Sequence, residues 1–198
     1  MVGEGVLLTC LESPEIEHVL IVNRKPSGHR HPKLEERIVP DFFAFEAPSG
    51  YDACFFCAGV SSVGMKEPEY RRITHDLTLS FAKALANPGM VFTYVSGAGT
   101  NPNGRAMWAR VKGDTENDLM KLPFRAVYNF RPGFMRPWPG QKNVLRLYKY
   151  IGWLFYVMPS SVLTMQQVGL AMIHTISNNY PKNILEIKDI RALALQES

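Results

Sequence analysis

Short apolar runs alternate with helical patterns along the first 131 residues of the chain. Each run is rich in β-branched or aromatic residues and is bounded by charged or turn-forming residues, which is typical of buried strands. Strands are predicted over residues 18–23, 37–45, 51–59, 91–96 and 126–131. The second run is weaker than the others, and its strand is expected to end near Asp41.

Helical periodicity fills the intervals between these runs. Ile73, Leu77, Phe81 and Leu85 recur every four residues and place one apolar stripe on a helix over residues 67–85. Further helices are predicted over residues 3–11, 105–122, 143–157, 164–176 and 187–195. No strand is predicted beyond residue 140, so residues 140–198 are expected to form a mostly helical cap.

The order of these elements predicts the fold class. Near-continuous apolar strands that alternate with helices favour an α/β fold with a parallel sheet covered on both faces. Right-handed crossovers then give a doubly wound, Rossmann-like sheet. Because no repeat or linker divides the chain, residues 1–198 are predicted to form a single domain. The cap is expected over the C-terminal edge of the sheet, where such folds bind ligands.

Composition narrows the classes of partner. Hydrophobic residues make up 46% of the sequence and charged residues 20%, which excludes a disordered chain or a coiled coil. The net charge of +4 permits an anionic small-molecule ligand. Nucleic-acid binding usually requires a basic stripe on one element, and it is not expected here.

The apolar stretch over residues 151–159 is too short to span a bilayer, and Arg146 and Lys149 precede it. A helix packed on the domain or on a partner is therefore expected there, with an interfacial helix as the alternative. The helices after residue 143 could pair with a second subunit, so a homodimer is one expectation. Residues 1–5 show neither the basic region nor the apolar run of a signal peptide.

Cysteine usage indicates the redox compartment. Three cysteines, an odd number, argue against a secreted disulfide framework and favour a reducing cytosol, so a cytoplasmic location is expected. Cys54 and Cys57 lie three residues apart on a predicted strand, and their side chains should point to opposite faces of the sheet. Neither a metal site nor a redox pair is expected from them.

Polar residues with catalytic chemistry follow two neighbouring strands. Ser96 ends the strand over residues 91–96, and the small residues Gly97, Ala98 and Gly99 come after it. Lys112 lies on the next predicted helix, and Pro132 and Gly133 follow Arg131 at the end of the next strand. These residues, in this order, resemble the short-chain dehydrogenase/reductase superfamily, and more narrowly its extended and atypical, NAD(P)-dependent epimerase/dehydratase-like branches. The resemblance covers nearly the whole chain.

The resemblance implies roles for three residues. In that superfamily a serine polarises the substrate carbonyl, and a tyrosine transfers the hydroxyl proton. A lysine four residues later lowers the tyrosine pKa and holds the nicotinamide ribose. Ser96 matches the serine and Lys112 matches the lysine, but Trp108 occupies the tyrosine position. An indole N–H donates a hydrogen bond and does not titrate.

The missing tyrosine leaves two classes of function open. The first, which is the main interpretation, is an NADP(H)-binding, epimerase/reductase-like oxidoreductase that acts on a carbonyl/alcohol pair by hydride transfer. The second is a catalytically silent nucleotide-binding regulator or scaffold. His75, Tyr94 and Tyr128 are the other residues that could supply an acid.

The same resemblance implies a nicotinamide dinucleotide and its contacts. Arg24 follows the strand that meets the adenosine ribose, where no acidic residue is present, and this favours NADP(H) over NAD(H). Asp41 resembles the residue that binds the adenine amino group. The implied cofactor-binding positions are Gly3, Arg24, Asp41, Cys57, Ala58, Gly59, Lys112, Pro132 and Gly133.

Gly3 matches only the last part of the superfamily's first turn, Gly-x-x-Gly-x-x-Gly. The turn places backbone N–H groups around the pyrophosphate. The first strand and the first two glycines have no counterpart, so a truncated chain is expected, with a lineage-specific shortening as the alternative. In the usual strand order the absent strand is central, so two strand edges should lie unpaired in the middle of the sheet.

Overall fold

The elements of the fold follow the apolar pattern closely. The computed structural model describes residues 1–142, 144 and 161–196. Its strands are β1 (Val19–Asn23), β2 (Leu34–Ile38), β3 (Ala53–Phe56), β4 (Val91–Val95), β5 (Ala126–Arg131), β6 (Phe134–Arg136), β7 (Val162–Thr164) and β8 (Ile184–Glu186). Its α-helices are α1 (Val2–Glu12), α2 (Glu67–Arg71), α3 (Leu77–Leu85), α4 (Met107–Leu119), α5 (Met165–Ser177) and α6 (Ile187–Ala194). A π-helical turn over Arg72–Asp76 joins α2 to α3.

Every strand pair in the described ranges is parallel. The main sheet has the order β3-β4-β5-β8, while β1 pairs with β2 and β6 pairs with β7. Helix α3 lies between β3 and β4 in the chain, and α4 lies between β4 and β5. This alternation confirms the predicted Rossmann-like α/β class.

Alternate residues of β4 show that helices cover both faces of the main sheet. Phe92 and Tyr94 pack in one cluster with Phe81 of α3 and Leu119 of α4. Val91 points to the other face and packs with residues of α1, α5 and α6. Each fully buried side chain of this size contributes about 1.5–3 kcal/mol to stability.

Strands β1 and β3 do not pair with each other, so each has one edge with no strand partner among the described residues, as expected from the sequence. The two strands are linked at their amino ends instead. The Tyr51 hydroxyl lies 3.3 Å from Nδ1 of His18, and the two rings are 5.8 Å apart. All residues of β1 are only half-buried, although each of them except Asn23 is apolar, because one edge of this strand lacks a neighbour among the described strands.

Two predictions about strands are wrong. The second strand, expected to end near Asp41, runs over Leu34–Ile38 and so ends three residues earlier. Pro40 follows and has no N–H to donate, and the Asp41 carboxylate caps a 3-10 turn over Phe42–Ala44 by accepting from the Phe43 N–H at 2.9 Å.

Strands also continue beyond residue 140, as β7 and β8. Each has three residues, which is too short for a periodic pattern, and each depends on a parallel partner elsewhere in the chain. The helix predicted over residues 143–157 lies outside the described residues, apart from residue 144. None of the helices within the described ranges is long and apolar enough to cross a membrane.

Helices α1 and α5 approach each other closely at two glycines. A Cβ added to Gly5 would lie 2.7 Å from Cβ of Met165, and one added to Gly169 would lie 2.5 Å from Cβ of Thr9. These distances are too short for any larger residue without movement of a helix. The close approach lets Val6 of α1 enter the core beside the main sheet.

We expect Gly169→Ala to destabilise the protein by about 1–3 kcal/mol, the usual cost of overpacking a core. The sign of this change distinguishes a tight contact from an open position, because Gly→Ala inside a helix without such a contact stabilises the protein by about 0.5–1 kcal/mol. Urea unfolding followed by circular dichroism measures the change. Gly59→Ala serves as the control, since nothing lies within 4 Å of its added Cβ. Equal stability of the Gly169 variant and the parent would contradict the close packing.

Candidate functional site

The loops that follow β4 and β5 are joined at the carboxyl end of the sheet. Gly97 and Gly99 have φ values of 112° and 84°, in the left-handed region that glycine adopts without strain. The Ala98 N–H donates to the Pro132 carbonyl at 2.9 Å, which ties the first loop to the second. The predicted residues Ser96 and Pro132 therefore lie at one edge of the sheet.

Lys112 reaches the same edge from α4. Its Nζ donates to the backbone carbonyl oxygen of Ser96 at 2.5 Å. Burial lowers the pKa of the Lys112 amine from its ordinary value, and the nearby Glu116 carboxylate opposes that shift. The structure thus brings Ser96 and Lys112 together.

The Ser96 hydroxyl points away from this edge and into the protein. Ser96 is 2% exposed, and its Oγ donates to Oε1 of Glu116 at 2.5 Å, with the Phe130 carbonyl oxygen 3.2 Å away. A serine hydroxyl carries a single proton. In this arrangement the hydroxyl proton is engaged in a hydrogen bond to the buried Glu116 carboxylate.

Glu116 is the centre of a buried charge cluster that the sequence patterns missed. It is 1% exposed and accepts two hydrogen bonds from the Arg131 guanidinium, one from Nε at 3.0 Å and one from Nη2. Arg131 also donates to Glu186, at the end of β8, at 3.1 Å. The hydrogen bonds from Arg131 to Glu116 raise the pKa of Arg131. The sequence did contain a signal for Glu116. It lies four residues after Lys112, so the two side chains share one face of a helix.

Trp108 lies one helical turn before Lys112, on the same side of α4. The indole is half-buried and packs against the glycine loop, with its Cη2 carbon 3.4 Å from where a Cβ on Gly99 would lie. It therefore occupies space beside Lys112 and offers no titrating group there.

The other candidate acids are engaged elsewhere. His75 has Asp76 at 2.7 Å from Nδ1 and Asp118 at 3.0 Å from Nε2, so both ring nitrogens have partners. Tyr94 and Tyr128 are 2% and 3% exposed and pack in the core of the sheet. Burial also raises the pKa of Tyr94. None of these three side chains lies open to the carboxyl edge.

At the end of β1, where the resemblance implies the adenosine ribose, Arg24 is exposed, and no described residue pairs with its guanidinium. The loop that carries it is held by Glu36 of β2. Oε1 of Glu36 accepts from Nδ2 of Asn23 at 3.0 Å and from the Ser27 N–H at 2.8 Å. Glu36 is a second residue that the sequence patterns missed. Asp41 is also exposed, with one carboxylate oxygen engaged in its cap.

The first turn of α1 lies against the end of β3. A Cβ added to Gly3 would be 3.3 Å from Cβ of Cys57, so a small residue suits this approach. Ala58 and Gly59 follow Cys57 and are exposed. Burial raises the pKa of the Cys57 thiol to about 12, which makes it a poor nucleophile. Cys54 and Cys57 pack against different core clusters, which confirms that they face opposite sides of the sheet.

Gly133 is closely surrounded, because an added Cβ would lie 2.9 Å from both the Ser161 carbonyl oxygen and Cδ1 of Ile187. Pro132 beside it is buried. Both residues therefore support the loop after β5 from within the protein. Among the described side chains, no group of three or more His, Cys, Asp and Glu residues could hold a metal ion.

The amino end of α1 is tied to two other segments. Oε1 of Glu4 accepts from the backbone N–H of Lys142 at 2.9 Å and lies 3.2 Å from Nε2 of His29. Nε2 of Gln141 donates to the Met1 carbonyl oxygen. The loop after β1 and the segment after β6 therefore meet at this helix end.

No protein-family model matches the sequence. The relatives found among curated proteins include Protein FMP52, mitochondrial, of Eremothecium gossypii, which is 28% identical over 138 residues that make up 67% of this chain and 61% of that protein. The protein of the same name from Coccidioides immitis is 26% identical over 164 residues, 74% of this chain and 65% of that protein. The chain thus spans less than two thirds of these relatives' length.

These names overturn one expectation from the sequence. A cytoplasmic location was predicted from the cysteine count, but the relatives are named mitochondrial proteins. A low, odd number of cysteines indicates a reducing compartment in general and does not distinguish one such compartment from another.

Solved structures resemble the chain over most of its length. A UDP-glucuronic acid 4-epimerase from Bacillus cereus in complex with NAD has a TM-score of 0.67 at 10% identity, and the match covers 94% of this chain and 74% of that one. RMD from Pseudomonas aeruginosa complexed with NADPH has a TM-score of 0.57 at 16% identity, with coverage of 85% and 75%. A short-chain dehydrogenase/reductase from Saccharomyces cerevisiae has a TM-score of 0.64 at 14% identity, with coverage of 98% and 94%. The chain therefore has the fold of the short-chain dehydrogenase/reductase and NAD-dependent epimerase enzymes.

Proposed function

We propose that this protein binds a nicotinamide dinucleotide, with NADP(H) preferred, at the carboxyl ends of β1, β3 and β4. We further propose that it acts as a nucleotide-binding regulator or scaffold and does not use the serine and tyrosine proton transfer of the enzymes that share its fold. Its relatives' names favour a mitochondrial location.

The nucleotide part of the proposal is supported by residues that fit the ligand. Arg24 offers an exposed planar guanidinium at the end of β1, which suits the 2′-phosphate of NADP(H). Ala58 and Gly59 leave room for a ligand to approach the backbone after β3. Lys112 holds its amine at the end of β4, where a ribose hydroxyl could accept from it. A bound dinucleotide would supply a hydride donor or acceptor.

The absence of proton transfer is supported chiefly by the direction of the Ser96 hydroxyl. The hydroxyl donates its one hydrogen bond to Glu116, and Arg131 in turn donates to Glu116. A substrate oxygen at the sheet edge would therefore receive no hydrogen bond from Ser96. Trp108 adds to this because it has no proton to exchange near neutral pH.

An oxidoreductase is the second candidate, and the observation that favours it is the contact between Lys112 and the Ser96 carbonyl. That contact puts the lysine where it could lower the pKa of a phenol at position 108. The two candidates differ in what a tyrosine at this position would do.

We expect Arg24→Gln to weaken NADPH binding about tenfold and to leave NADH binding unchanged, because only NADPH carries the 2′-phosphate. The change in NADPH and NADH fluorescence during titration measures both dissociation constants. Arg30→Gln is the matched control, since Arg30 is an exposed arginine of the same loop. Equal losses for the two nucleotides, or no loss for either, would contradict the preference.

We expect Ser96→Ala to lower the free energy of unfolding by about 2 kcal/mol, because it removes a hydrogen bond to a buried carboxylate. Glu116→Gln should cost about 3 kcal/mol, at the low end for a broken buried pair because Glu186 still contacts Arg131. NADPH affinity of Ser96→Ala should stay within about twofold of the parent. Ser80→Ala, at a half-buried serine of α3, is the control. A Ser96→Ala variant of full stability that loses NADPH binding would refute the structural role.

We expect Trp108→Tyr to bind NADPH and still to show no oxidation of it with a panel of aldehydes and ketones. The reason is that the new phenol would lack the serine donor that completes proton transfer. NADPH absorbance measures the rate, and fluorescence titration verifies that cofactor is bound. Substrate-dependent oxidation in this variant would favour the oxidoreductase instead.

A further inference from the structure

A cavity of about 370 Å³ lies between the β6–β7 pair and the start of α5. Its volume falls within the range of small-molecule sites, about 300–1,000 Å³. The walls come from Arg136, Trp138 and the two prolines beside this tryptophan on one side, and from Thr164 to Gln166 on the other. None of these lining residues is among the positions implied to contact the dinucleotide.

Arg136 makes the cavity electropositive. It is the last residue of β6 and lies opposite Thr164, the last residue of β7, in the parallel register. Among the described residues that line the cavity it is the charged one, it is exposed, and no ion pair between described residues includes it. A planar guanidinium in this state fits a carboxylate or a phosphate through two parallel hydrogen bonds.

Trp138, two residues after Arg136, also lines the cavity. The backbone N–H of Trp138 donates to Oε1 of Gln141 at 3.0 Å, and the Gln141 amide also donates to the Met1 carbonyl. Gln141 is only 9% exposed, so this anchor lies within the protein. On the opposite side, the Thr164 hydroxyl accepts from the Gln167 N–H at 3.0 Å and caps α5. Hydrogen bonds thus hold both walls.

We propose that this cavity binds a small organic anion, with its carboxylate or phosphate group on Arg136 and a flat or apolar body against Trp138. The Arg136 guanidinium would bind the anionic group, while the indole and the proline rings would contact the apolar body. The site is independent of dinucleotide binding, but the two are adjacent. Gln141 links the tryptophan wall to the amino end of α1.

The full chain labelled with ¹⁵N tests the proposal through its indole N–H signals, with Trp138→Phe identifying the signal of Trp138. Benzoate and phenyl phosphate are the anionic probes, and benzamide is the uncharged probe of similar shape. We expect at least one anion to shift the Trp138 signal saturably and to bind about tenfold or more tightly than benzamide. The tighter of the two anions identifies the carboxylate or the phosphate as the preferred group.

Arg136→Gln should weaken binding of that anion about tenfold or more, and Arg136→Lys should fall between this variant and the parent. Arg105→Gln, which removes another exposed arginine, should bind as the parent does. An unmoved Trp138 signal, equal binding of benzamide, or full affinity in Arg136→Gln would overturn the proposal. If the variants misfold, the comparison of benzoate, phenyl phosphate and benzamide on the parent chain decides. NADPH titration of Arg136→Gln reports separately on the dinucleotide site.

Discussion

The buried ion pair between Glu116 and Arg131 holds the candidate site together. It joins α4 to the end of β5, and through Glu186 it reaches the end of β8. A buried carboxylate needs its partners close, because an unpaired charge in the interior is costly. The same carboxylate accepts a hydrogen bond from the Ser96 hydroxyl and so orients that side chain inward. The Glu116–Arg131 ion pair therefore determines both the geometry of the sheet edge and the direction of the Ser96 hydroxyl.

The carboxyl edge of the sheet combines exposed residues, typical of a ligand site, with buried residues that stabilise the loops. The edge has glycines with left-handed backbone and exposed small residues, and Arg24 beside it has no partner among the described residues. Ser96, Pro132 and Gly133 instead fill the interior or brace loops. The proposed nucleotide binding without proton transfer rests on this division.

Local patterns predicted much of the fold because they reflect local physics. The β-branched runs became β1, β4 and β5, and the four-residue spacing of Ile73, Leu77 and Phe81 became a helix with a π turn in it. Strands β7 and β8 escaped prediction because three residues show no period, and their parallel partners lie far away in the chain. Strand β2 was also misjudged. Pro40 and the cap formed by Asp41 end it earlier than its apolar pattern indicated.

At the site, residue types were readable from the chain and their orientations were not. The order of Ser96, Trp108 and Lys112 indicated a strand end facing a helix, and the indole excluded a titrating phenol at position 108 whatever its surroundings. The partner of the Ser96 hydroxyl lies 20 residues further on, and the guanidinium that holds that partner comes from a neighbouring strand. Such contacts depend on how helix and sheet pack. Chemical capacity is a property of each residue alone, whereas the direction of a hydrogen bond depends on which distant groups the fold brings within reach.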